Sequence, residues 1–178
     1  GGPGIRDLEL RAPRGAARKI GSFYASQLGA VVAYPAAHVA VVTVGPAAHL
    51  IFDEQGGDGV PLEPAAAAAM EGLHVAIYIL NFRDKYVRLR ERSLIWTNPR
   101  FRDLDTCDAW EEAAASRQFR FRHIPCAGES EPGCWDGTAP TAGTESGTER
   151  PAKYFELEHE TRAVRHFQFF KRVEYVPA

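Results

Sequence analysis

The sequence predicts an α+β protein built from two βαβββ modules whose mixed sheets pair into a half-open cup. Two observations carry this. The segment from Asp7 to Glu54 reads strand, helix and then two apolar strands, and the segment from His74 to Glu160 repeats that order. Each unit is too small to bury a good core alone, so the pair must pack together. The cup's inward-facing strand positions are then where a ligand or metal would sit, and a chain of 178 residues suits two paired halves.

Each element follows from a local pattern. From Ile5 to Ala12, Leu8, Leu10 and Ala12 alternate with Asp7, Glu9 and Arg11, the period of a strand with one apolar face. Pro13 stops it. Ala17, Ile20, Tyr24 and Leu28 recur at helical spacing over 15–28, and Gly29 is placed to cap the helix. Strands are expected at Ala30–Tyr34, Val39–Val44 and His49–Glu54, separated by turn signals such as Gly45-Pro46. The Gly- and Pro-containing stretch over 57–71 reads as a linker between modules 1–56 and 72–164. The second module opens with a strand at His74–Leu80, continues into a charged helix over Asp84–Leu94, and returns as a strand at Ile95–Phe101. A helical insertion over 104–117, anchored by Trp110, precedes strands at Gln118–Ile124 and Lys153–Ala163. The stretch 125–152 is rich in Gly, Ser, Thr, Pro and Glu and reads as a mobile connection. The aromatic tail over 165–178 is expected to pack on the body or on a second copy, which makes a homodimer an expectation.

Composition narrows the partners. A formal net charge of −2, from 21 basic and 23 acidic side chains, offers no large field for a polyanion or an anionic membrane. Nucleic acid and membrane are therefore not expected partners, and a small molecule is. No apolar run approaches the roughly 20 residues that span a bilayer. The chain begins at Gly1 without a Met, which leaves room for an upstream leader and leaves the compartment open, with cytoplasm or organellar stroma expected. Cys107, Cys126 and Cys134 are odd in number and carry no close metal-binding spacing, so free thiols are expected. Phosphate-loop and Ser/His/Asp signatures do not occur.

Three stretches together resemble a known family: Phe23-Tyr24 with Leu28-Gly29 at the first helix end, Gly72-Leu73-His74-Val75-Ala76-Ile77 opening the second module, and Tyr154-Phe155-Glu156-Leu157-Glu158 in the last strand. The chain is similar to the vicinal oxygen chelate superfamily, which includes glyoxalases, bleomycin-resistance proteins, fosfomycin-resistance enzymes and extradiol dioxygenases. The resemblance implies a divalent metal in the cup, held by first-strand and last-strand residues of both modules. Carried over residue by residue, those positions are His74 and Glu156 in the second module and Asp7 in the first. The remaining position falls near Phe52 or Glu54, and Phe52 cannot ligate.

The residue types support the same site on their own terms. On a strand, residues two apart share a face, so His74, Ala76 and Tyr78 lie together, as do Tyr154, Glu156, Glu158 and Glu160. Three carboxylates on one face need a metal, arginines or water to compensate them. A His/carboxylate set suits Fe(II), Mn(II), Ni(II) or Zn(II), with Asp7 or Glu9 as a further ligand. Glu158 and Tyr78 are the candidate catalytic groups, Glu158 moving a proton and Tyr78 donating to a substrate oxygen. Arg120 and Arg122 alternate with Phe119 and Phe121, so either pair faces the cup. Arg120, Arg122, Tyr154 and Phe52 are the candidate substrate-binding residues. His159 falls on the opposite, helix-packing face as a hydrogen-bonded core histidine. The function expected is a metal-dependent lyase, isomerase or dioxygenase for a small molecule with vicinal oxygens. The alternative is a metal-free binding protein using the same cup.

Overall fold

The computed structural model describes residues 5–54, 73–102, 105–125 and 154–167, with the side chains of Phe101 and Tyr154 excepted. The expected linker, nearly all of the 125–152 connection and the tail beyond Phe167 lie outside them.

The first module is a complete βαβββ unit. Strand β1 (Asp7–Arg11) leads into α1 (Ala17–Phe23), which runs on as a π-helical turn over Tyr24–Leu28. Strands β2 (Val31–Ala36), β3 (Val39–Gly45) and β4 (Ala48–Asp53) return in the order β1-β4-β3-β2, with β1 parallel to β4 and the others antiparallel. Gly29 ends the helical stretch at φ 70°, a left-handed value that costs glycine nothing. No side chain at the helix start caps α1. Instead Glu54, far along the chain, accepts the amides of Gly15 at 2.7 Å and Ala17 at 2.8 Å. The Glu54 carboxylate is thus committed to a helix N-terminus, where negative charge is favoured.

The second module repeats the plan with one strand reduced to a bridge. Strand β5 (His74–Ile79), helix α2 (Phe82–Glu91), helix α3 (Trp110–Ser116), β6 (Gln118–Pro125) and β7 (Tyr154–Ala163) form a sheet ordered β5-β7-β6, with β5 parallel to β7. Where a strand was expected at Ile95–Phe101, only Ile95 bridges to Phe121, and the chain then leaves as a single 3-10 turn at Pro99–Phe101. Pro99 has no amide to give a ladder, and Asn98 turns its side chain onto the amide of Arg100. Trp110 does anchor its helix, its ring packed at a tilt against Phe82 and Tyr86.

The apolar faces of both sheets share one continuous core with α1. Phe52 of the first sheet meets Phe155 of the second at 5.5 Å, and Tyr24 touches both Phe52 and His159. The fold is α+β, with two mixed sheets, as the duplicated pattern requires. No helix among the described residues is long and apolar enough to cross a membrane.

Candidate functional site

Register decides which groups meet. In the parallel β5–β7 pair His74 lies beside Glu158, Ala76 beside Glu160 and Tyr78 beside Arg162, so these six side chains share one face. Val75, Ile77, His159 and Thr161 point the other way and are buried. On β6 the aromatics Phe119 and Phe121 go into the core and Arg120 comes to the polar face.

Arg120 is the centre of that face. Its Nη1 donates to Glu158 at 2.9 Å, its Nη2 to Glu160 at 2.7 Å, and its Nε to Asp105 at 3.0 Å. The side chain is only 6% exposed, and those of the three carboxylates 8–15%. Burial opposes the Arg120 charge, but the hydrogen bond with Asp105 and the charges of Glu160, Asp105 and Glu158 outweigh it and hold the guanidinium above its ordinary pKa. Asn98 donates to both oxygens of Glu158, Gln118 to Asp105, and Arg162 binds Glu160 from the other side. Asp105 and Asn98 come from the irregular stretch that replaces the missing strand. No periodicity marks them in sequence, which is why they were not among the expected site residues.

The expected metal set does not assemble. Glu156 lies across from His123, not beside His74, and pairs with Arg122 at 2.6 Å and His123 at 3.4 Å in a half-exposed position. Asp7 belongs to the first sheet, where its carboxylate meets His49 at 2.8 Å. By strand alternation Asp7 faces away from Leu8, Leu10 and the shared core. Among the described residues no three of His, Cys, Asp or Glu converge on a point that could hold an ion. The donor chemistry agrees: a guanidinium already fills the space between the carboxylates that a divalent ion would need. These residues do not fit a metal.

The remaining expected residues divide in the same way. Phe52 is fully buried against Tyr24 and Phe155, so it is core and lines no open face, because its parity matches Leu50 and not Ile51. Arg120 is committed to three carboxylates and so offers no arms to a substrate anion. Arg122 is half-buried, lies over Trp96 and holds Glu156. Tyr78 is half-buried and accepts a hydrogen bond from Arg162 at 3.4 Å. The side chain of Tyr154 lies outside the described residues.

His159 sits in the core as parity required. Its Nδ1 is 2.6 Å from the carbonyl oxygen of Leu157, which can only accept, so Nδ1 carries the proton. Nε2 therefore accepts from the Tyr24 hydroxyl at 2.5 Å. Burial pushes the imidazole down to about 3, against the opposing hydrogen bonds, and pushes the Tyr24 phenol up. The pair is neutral and joins the first module's helix to the second module's last strand.

The parallel β1–β4 pair, its antiparallel returns and their partial repeat make the arrangement glyoxalase-like. Among solved structures the chain is similar to the oxidase ChaP-H2, with 16% identity over 90% of this chain and 94% of that one at a TM-score of 0.46. It is similar to the oxidase ChaP-H1 with 18% identity over 90% and 97%, again at 0.46. A glyoxalase/bleomycin resistance protein/dioxygenase from Alicyclobacillus acidocaldarius matches with 13% identity over 89% and 91% at 0.40. Superpositions this loose carry no argument about activity, and the fold assignment stands on the strand order. No protein-family profile and no curated protein matches the chain.

Proposed function

We propose that this chain is an enzyme of the glyoxalase-like fold that acts on a small molecule with adjacent oxygens. Its site is the polar face of the second sheet, around His74, Ala76 and Tyr78. The observation that carries this reading is the Arg120 guanidinium enclosed by Asp105, Glu158 and Glu160. It holds charged oxygens in one geometry beside an open stretch of strand, and fixed charges and dipoles are what a polar reaction needs. Ala76, exposed between His74 and Tyr78, leaves space for a ligand against the sheet. An imidazole can take and give a proton, so His74 supplies the acid–base group, and Tyr78, steadied by Arg162, supplies a hydrogen bond. Asp105, Glu158 and Glu160 against Arg120 and Arg162 leave the cluster one negative charge in excess. That favours a neutral ligand with hydroxyl donors over an anion.

This reading needs no resident metal, and it is tested by metal analysis of protein purified without chelator. The expected result is far less than one ion per chain. One ion per chain, lost in His74→Ala, would overturn it in favour of a metal enzyme. A second reading is sequestration without chemistry on the same face, where Asp105, Glu156, Glu158 and Glu160 are paired with arginines. Catechol, which carries two adjacent hydroxyls, separates the two when titrated by NMR. Shifts at β5 and β7 with conversion of catechol support the enzyme, and shifts with catechol recovered intact support the binder.

A further inference from the structure

A second site lies on the other side of the second sheet's first strand, where the two modules meet. Here a cleft of about 320 Å³ is walled by Tyr24, Leu28 and Gly29 at the end of the first helix, Thr43 and Val44 of β3, and the strand from Ile77 to Leu80. The volume is at the lower end of the roughly 300–1,000 Å³ typical of small-molecule sites. The walls are mainly apolar, and Leu80 at the rim is 71% exposed.

Two features show that the cleft is built. The first helix ends in a π-helical turn, a rare and costly local geometry that is frequent at functional sites, and both ends of that turn, Tyr24 and Leu28, face the cleft. At the far wall Asn81 holds a left-handed backbone (φ 51°, ψ 49°), which turns the chain sharply into α2. That turn delivers Lys85, one helical turn on, to the cleft wall. The Lys85 ammonium is pressed toward Gly29, where a Cβ would lie 3.0 Å from Nζ. Any side chain at 29 would displace it.

Lys85 is half-buried and, among the described residues, has neither a carboxylate nor a hydrogen-bond acceptor. A partly desolvated ammonium is costly without an anion. We propose that this cleft binds a small apolar carboxylate, its ring or chain against Leu28, Ile77 and Leu80 and its carboxylate on Lys85. The cleft shares the strand residue Tyr78 with the face proposed above but does not use His74, Glu158 or Arg120, so His74→Ala separates the two.

The test is a fluorescence titration of the intact chain with 2-naphthoate and with 2-naphthamide, the same ring without the charge. Naphthoate is expected to bind at least tenfold more tightly than naphthamide. Lys85→Met should remove that preference while leaving naphthamide binding unchanged, and Leu80→Glu, at an exposed rim position, should weaken naphthoate most. His74→Ala should change neither. Equal binding of the two probes, no binding of either, or a preference that survives Lys85→Met would overturn the proposal.

Discussion

The two sheets begin from the same plan and end with opposite polar faces. In the first sheet all four strands form, and its polar face carries a solvent-exposed pair, Asp7 with His49. In the second the fourth strand dissolves after a single bridge at Ile95. The chain released there brings Asn98 and Asp105 over the sheet, closing Arg120 among carboxylates. The module that keeps the repeat stays plain, and the one that breaks it gains a buried ionic centre. Departure from the repeat is thus the better guide to the site.

The largest effect should come from breaking that centre. Arg120→Ala leaves the enclosed Asp105 and Glu158 without that counter-charge and Glu160 with Arg162 in its place, and should cost about 3–5 kcal/mol in urea unfolding. An Arg120→Ala protein as stable as the parent would mean that the two polar faces are energetically alike.

Next is the seam between modules. His159 is held down at about 3, below its unfolded value near 6.5, so the unfolded chain takes up a proton that the folded chain refuses. Its contribution is therefore present above pH 6.5 and lost as pH falls toward 3, by roughly 2–3 kcal/mol between pH 6 and 4. His159→Gln should flatten that limb of the stability–pH curve, and an unchanged limb would show that His159 does not cause it. Tyr24→Phe leaves Nε2 without its donor and should cost about 1–3 kcal/mol at neutral pH, read by thermal unfolding. The smallest effect is expected on the first sheet: Asp7→Asn should change stability by under about 1 kcal/mol, since the pair is exposed and screened. A larger loss would give that face a structural role that it lacks here.

Much of this architecture was legible in the sequence because it is periodic. Leu8 and Leu10 against Asp7 and Glu9, or Phe155 and Leu157 against Glu156 and Glu158, state their faces by alternation alone, and alternation also placed His159 in the core. Register carries no such signal. Sequence spacing allowed either Glu156 or Glu158 beside His74, and the observed pairing of His74 with Glu158 depends on how far β7 slides along β5. Phe52 was a misreading of alternation, since it shares the core face of Leu50. Asp105, Asn98 and Lys85 were invisible for another reason: each acts across the fold from a loop or helix whose local pattern says only that it is polar. Glu54 was legible as an acid near a strand end, but its helix lies 37 residues back in the chain.

The thiol of Cys107 lies behind Arg120, fully enclosed, with its sulfur 3.4 Å from the Arg120 amide and 3.5 Å from the Trp96 carbonyl. Enclosure also pushes its pKa up, so it resists alkylation while the covering stretch is closed. With Cys126 and Cys134 replaced by serine, its labelling rate becomes a clock for how often that stretch lifts away. This buried cysteine thus lets any opening of the ionic centre be timed in solution.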